Sequence, residues 1–384
     1  MKKVLLGTTA LVAAGMLTGQ AQAADPVTLS LGGYYRSAIG AIFDDENNAL
    51  TGEGGVNRHE YFHEQDVEVH FTGETTLDNG LTVGVNIQLE GQTQGADQID
   101  ETWAYVSGSW GQLRFGDEDD VAYNFAYIAP YVGLFGPTTP WFAFSNAGNT
   151  VGNLIGASTN FEVVGISGDS TKLYYVTPDF NGFQLGVSYA PDGTQDGRSN
   201  PNFDGCFGCG PSSANGTTED IWSIALGYSG EFSGVSIGFS AGYTDAQTEN
   251  VVIAGVPVPG TGLTDPEAWG IGLNLGSGNW AVGGSYQDFD TDNNTFDYEV
   301  WDIGITYKVG AWGIGLGFSQ AEADTALAKA DQNDVWVLGV DYSMGPGISV
   351  SGALSYNDFD NKTAGGTGPD YDALSAMLGM TIDY

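Results

Sequence analysis

The chain has 384 residues, with 10 Lys and Arg against 48 Asp and Glu and a formal net charge of −38 at pH 7. A field of that sign excludes nucleic acid and anionic surfaces as electrostatic partners and attracts cations, although a saline habitat would select the same acidity. Disorder, another meaning of high acidity, is excluded by 41% hydrophobic and 12% aromatic residues set in a regular pattern.

Residues 1–23 read as a secretory signal peptide. Lys2 and Lys3 give a basic start, Val4 to Leu17 is apolar, and Ala21-Gln-Ala23 is a small-x-small cleavage site ahead of Ala24. The apolar stretch is short and broken by Gly and Thr, which argues against a membrane anchor. Beyond it no run approaches the roughly 18 apolar residues of a membrane-crossing helix. Removing Lys2 and Lys3 leaves 8 basic against 48 acidic residues, a formal charge of −40. The strand rhythm runs unbroken from Val27 to Tyr384, so residues 24–384 are read as a single domain.

That rhythm is a dyad alternation. Phe183-Gln-Leu-Gly-Val-Ser-Tyr189, Trp222-Ser-Ile-Ala-Leu-Gly-Tyr228, Val235-Ser-Ile-Gly-Phe-Ser-Ala-Gly-Tyr243 and Trp312-Gly-Ile-Gly-Leu-Gly-Phe318 are apolar at every second position. A period of two makes a strand with unlike faces. The polar face is mostly Gly and Ser and the apolar face often ends in an aromatic ring, as a strand between lipid and a wet lumen requires. Short Gly-rich or Asn-Gly turns, such as Asp78-Asn-Gly80, Pro178-Asp-Phe-Asn-Gly182 and Gly276-Ser-Gly278, alternate with long polar connections near 43–58, 92–98, 117–170, 191–218, 246–264, 289–295, 324–332 and 361–369. Seven turns and eight loops join sixteen strands. The predicted fold is all-β: a 16-stranded antiparallel transmembrane β-barrel, wide enough to hold an aqueous channel. The small inner residues fit that width, since nothing bulky fills the inside.

Parity assigns the faces. In the first strand Leu29, Leu31, Tyr35 and Ile39 face lipid, and Tyr34 and Arg36 the lumen. In the second Val67, Val69 and Phe71 face out, leaving Glu64, Asp66, Glu68 and His70 inside with Arg58 near the upper end. Arg114 of the fifth strand, Lys172 of the sixth and Asp302 and Lys308 of the twelfth also point in. A lipid-facing charge at the membrane midplane costs roughly 2–4 kcal/mol, which by itself drives charges to the lumen.

The longest connection, Asp117 to Asp169, carries Tyr123, Phe125, Tyr127, Tyr131, Phe135, Trp141, Phe142 and Phe144. Those rings need burial, and folding inward against the wall supplies it; an outward cap is the alternative. The loop opens with Asp117, Glu118, Asp119 and Asp120, which would face Arg36, Arg58 and Arg114 across the opening. Calcium could bind loop carboxylates such as Asp117 to Asp120 or Asp288-Phe-Asp-Thr-Asp292 through oxygen, although solvated surface acids have the same appearance.

Cys206 and Cys209, in a Gly-rich loop, read as a local disulfide or as free thiols. His63 and His70 fall on opposite faces and share no metal. No Gly-x-Ser-x-Gly elbow frames a serine, so the chain is not read as an enzyme.

The opening Ala24-Asp-Pro-Val-Thr-Leu-Ser-Leu-Gly-Gly33, the Gly111-Gln-Leu-Arg-Phe-Gly116 strand before the long loop and the aromatic C-terminal strand resemble the general porins of Gram-negative bacteria, of the alphaproteobacterial type. The resemblance implies a homotrimer in outer-membrane lipid whose third loop folds inward to a constriction, with acids on the loop (Asp117, Glu118, Asp119, Asp120) opposite basic residues on the wall (Arg36, Arg58, Arg114). Tyr384 stands where the family usually ends in Phe, and no Pro-Glu-Phe loop tip is evident. The expected function is passive diffusion of ions and small polar solutes with a preference for cations. The alternatives are a solute-binding channel or a structural or adhesive surface barrel.

Overall fold

The computed structural model describes residues 26–44, 61–91, 99–138, 165–193, 218–248, 252–253, 256–257, 265–291, 296–325, 331–360 and 371–384. Residues 1–25, Arg58, both cysteines and Trp141, Phe142 and Phe144 lie outside these ranges.

The strands are β1 Thr28–Asp44, β2 Tyr61–Thr76, β3 Thr82–Glu90, β4 Ile99–Gly108, β5 Gly111–Asp117, β6 Thr171–Val176, β7 Phe183–Asp192, β8 Thr218–Phe232, β9 Val235–Thr248, β12 Pro266–Ser277, β13 Trp280–Thr291, β14 Phe296–Val309, β15 Trp312–Thr325, β16 Asp331–Gly345, β17 Ile348–Asp360 and β18 Tyr371–Asp383, with a small hairpin of β10 Val252–Ile253 and β11 Val256–Pro257. Sixteen of them close into one antiparallel barrel, β1 pairing with both β2 and β18. Closure satisfies the ladder on every strand, which hydrocarbon demands. No helix of the described residues is long and apolar enough to cross a membrane.

The short turns form where the sequence placed them. At Asn181-Gly182 both residues have positive φ, 58° and 91°, the backbone that a tight hairpin needs. Outside, Leu29, Leu31, Ile39, Phe71, Ile303 and Ile305 are exposed as parity assigned them. Aromatic rings pair across neighbouring strands in two belts. Phe183–Tyr228, Trp280–Tyr307 and Trp312–Tyr342, at the short-turn rim, have centroids 4.5, 4.6 and 4.7 Å apart. Tyr189–Trp222 and Phe318–Trp336, near the other rim, lie at 4.5 and 4.4 Å. Between the belts β15 shows Ile314 and Leu316, and β16 shows Leu338 and Val340, an apolar band flanked by amphipathic rings.

The wall is uneven. β1 and β2 have 17 and 16 residues, while β5 and β6 have 7 and 6. The third loop leaves from the end of β5 and returns at the start of β6 at the same height, with Asp117 paired to Thr171. It therefore enters the barrel partway up the wall and does not climb to the rim first.

Candidate functional site

Loop 3 runs inward as the short helix α1, Val121–Phe125, followed by an extended belt to Thr138. Its polar backbone groups, which burial would otherwise strand, meet inward side chains of successive strands. Val121 N–H donates to Ser188 Oγ (3.2 Å), Ala122 N–H to Ser223 Oγ (3.1 Å) and Tyr127 N–H to Ser240 Oγ (2.8 Å). Asn274 Nδ2 donates to the Ile128 carbonyl (2.9 Å), and Ala129 N–H donates to Asp302 Oδ1 (3.1 Å), which also accepts from Ser285. The belt then turns back across a Val132–Phe135 bridge. Leu134 N–H donates to Ser351 Oγ (3.3 Å), and the Pro137 carbonyl accepts from Ser319 Oγ (2.6 Å).

Glycines make room for this path. A Cβ at Gly242 would lie 2.7 Å from that of Ala122, and one at Gly317 2.7 Å from Pro137 Cγ, well inside van der Waals contact. Phe135 is 2% exposed and closes a cluster with Ala38, Val337 and Met377. The small inner residues of β7–β17 are thus not bare pore wall, as their alternation suggested. They form a track along which the third loop runs, and among the described residues the two larger cavities lie beside β2–β7.

The loop acids do not act as one group. Asp117 is 5% exposed and accepts the Thr171 hydroxyl. Glu118, 4% exposed, pairs with Arg114 four residues before it. Asp120, 1% exposed, ties the two ends of the loop together by accepting Ser167 N–H (2.9 Å) and Ser167 Oγ–H (2.7 Å). Asp119 alone of the four reaches the open side, where its carboxylate stands with those of Glu101 and Asp169, ligand oxygens within 4.8 Å of one another. A calcium site across all four consecutive acids therefore does not form.

The bases are placed as unevenly. Arg114 lies on the wall between the rings of Trp103 (4.5 Å) and Tyr174 (4.8 Å), so the expected field from the loop acids across the opening is replaced here by a contact within one segment. Arg36 stacks on Tyr34 (3.7 Å) and meets Asp66 at 3.7 Å. Lys172 is 1% exposed, donates to the Gly168 carbonyl (2.6 Å) and sits under the loop's return, so it is no open pore base. Lys308 is exposed beside the β14–β15 turn. Of the lumen acids, Glu64 is exposed, Asp66 groups with Glu68 and Glu90, and Glu68 accepts Tyr34 Oη–H and meets His70 Nε2 at 2.7 Å.

Strand parity alone missed part of the acidic wall. A register shift between β3 and β4 sets two β4 residues opposite Gln88, and both Asp100 and Glu101 then border one cavity of about 430 Å³ with Glu68, Asp119 and Asp169. The unusual sequence signal there is the Asp100-Glu101 pair itself. The carboxyls of Glu101, Asp119 and Asp169 lie within 4.8 Å of one another, close enough for any two of them that are ionised to repel. Burial pushes the Asp169 carboxyl up, against Lys172 and with Glu68; burial also raises Glu118 against the pull of Arg114.

The barrel fold has counterparts among solved structures. An anion-selective porin from Comamonas acidovorans aligns with TM-score 0.57 and 16% identity, over 93% of this chain and 100% of its own. The outer membrane channel DcaP of Acinetobacter baumannii gives 0.60 and 12%, over 96% and 100%. The trimer form of OmpT, an outer membrane protein of Vibrio cholerae, gives 0.58 and 15%, over 94% and 100%. Among curated proteins no match is found. The family model for Gram-negative porins matches residues 7–362, nearly the whole chain. The chain belongs to the Gram-negative porin family, and it is an outer-membrane β-barrel channel.

Proposed function

We propose that the barrel passes ions and small hydrophilic solutes passively, prefers cations, and assembles as a homotrimer in outer-membrane lipid. The observation that carries the preference is the pairing of charges in the lumen. Arg36 and Arg114 each face an acid, and Lys172 is buried, whereas Glu68, Asp100, Glu101, Asp119 and Asp169 border one open cavity. Fixed carboxylates in a confined opening with low-dielectric walls raise the local concentration of counter-ions. The fold does not decide the sign, because a porin described as anion-selective shares it. Passage needs a radius and a field, with no bond made or broken.

The test is a reversal potential in a salt gradient across a planar bilayer holding the purified mature protein. A potential biased to the cation, with closures in three equal steps, supports the reading. Reversal toward chloride overturns the preference, and single-step closure overturns the trimer.

A further inference from the structure

The lumen holds a second cavity, of about 500 Å³, on the short-turn side of loop 3. Its floor is small: Ser107, Gly108 and Gly111 at the β4–β5 turn. Its roof is α1, because β5 and β6 are too short to carry the loop clear of the wall. The cavity is within the size range of small-molecule sites.

Its chemistry differs from the acidic cavity on the other side of the loop. Arg114 is the one charged residue in its lining, and that charge is matched by Glu118 behind it. What remains is neutral and amide-rich. Gln112 gives its carbonyl to Arg114 Nε (2.6 Å), leaving its NH2 to donate. Gln184 donates to the Thr177 carbonyl at 3.4 Å, leaving its own carbonyl to accept. Phe125, half-buried, supplies a ring, while Tyr174 borders the cavity with its own face covered by Arg114.

We propose that this cavity is a binding subsite for a neutral polyhydroxylated solute of the mono- or disaccharide class, reached from the short-turn side of the channel. Planar amides that offer both a donor and an acceptor match vicinal hydroxyls, each of which is both. Aromatic faces take the apolar C–H face of a sugar ring. A cation finds no unmatched carboxylate here, and an anion meets a guanidinium already held by Glu118. The inference rests on the channel reading, since the site lies within the conducting lumen.

The experiment is conductance of reconstituted wild-type channels, in salt alone and then with increasing sucrose. A polyethylene glycol of matched hydrodynamic size controls for viscosity. The expected result is a saturable fall in current with sucrose and a merely linear fall with the polymer. Gln112→Ala and Gln184→Ala should each raise the half-saturating concentration roughly 2- to 10-fold, the loss of one neutral hydrogen bond. A linear response identical to the polymer's overturns the subsite. Saturable block by gluconate, but not by sucrose, also overturns it and makes Arg114 an anion site. No current in salt alone is a different failure, because it removes the channel reading itself.

Discussion

The Asp120 carboxylate holds the third loop at its root, and its removal should loosen the loop without unfolding the barrel. Two bonds from Ser167 reach it, at 2.9 and 2.7 Å, across 47 residues of chain. Hydrogen bonds to a charged group contribute roughly 1.5–3 kcal/mol each. Asp120→Ala removes both and strands Ser167 N–H in a site only 5% exposed, so the closed root should lose about 3–5 kcal/mol, a factor of roughly a hundred to several thousand in its opening equilibrium. The belt beyond keeps its seven bonds to the Ser, Asn and Asp side chains of the wall, and the strand ladders are untouched. The expected phenotype is excess open-channel current noise and faster proteolytic cutting of the loop, with heat resistance of the barrel in detergent unchanged. Asp120→Asn separates two causes. If the bonds matter it keeps an acceptor and falls between wild type and alanine; if the charge beside buried Lys172 matters, it behaves as alanine does. Wild-type noise and wild-type cutting in Asp120→Ala would refute the reasoning.

Other consequences are open to direct measurement. Gly272→Val sets a side chain against the Tyr127 carbonyl, so the belt should lift and single-channel conductance change; an unchanged conductance would show that the belt does not border the open pore. Neutralising Glu101, Asp119 and Asp169 together, as Gln, Asn and Asn, should bring the cation-to-anion permeability ratio toward one, read from reversal potentials. Burial holds the Asp169 and Glu118 carboxyls above their ordinary values. As pH falls they therefore take up protons before an unperturbed aspartate, near pH 3.9, would, and cation preference should begin to weaken above that pH. The sign for stability follows: in that window the folded state binds more protons than the unfolded, so these two groups cost stability as pH rises through it and cease to as pH falls. Urea midpoints against pH in the Asp169→Asn variant should show the cost reduced.

Strand number, turn positions and outward faces were legible because each rests on short-range rules. Asn181-Gly182 makes its turn by local backbone preference, and Ile303 and Ile305 face out because period two leaves them nowhere else. Glu118 was legible as a loop acid but not as the partner of Arg114, because that contact depends on β5 ending at Asp117. Lys172 was legible as inward and not as buried, since what covers it is the returning loop at Gly168. Asp100 was hidden by the register shift in β4, which breaks parity where it matters for the pore.

The inner face also carried a meaning opposite to its first reading. A row such as Gly238, Ser240 and Gly242 on β9 suggests a wall left bare for water, yet each of the three meets the belt: Tyr127 at Gly238, the Tyr127 N–H at Ser240, Ala122 at Gly242. Glycine there admits a backbone at contact distance, and serine supplies the acceptor which that backbone needs. Where the lumen stays open, the wall instead carries Asp66, Glu68 and His70, long polar groups that a packed loop would have to desolvate. On β9, then, small inner residues mark wall that the loop covers, while Glu68 of β2 borders a cavity. The third loop and the wall were therefore encoded together, strand by strand, although they lie far apart in sequence.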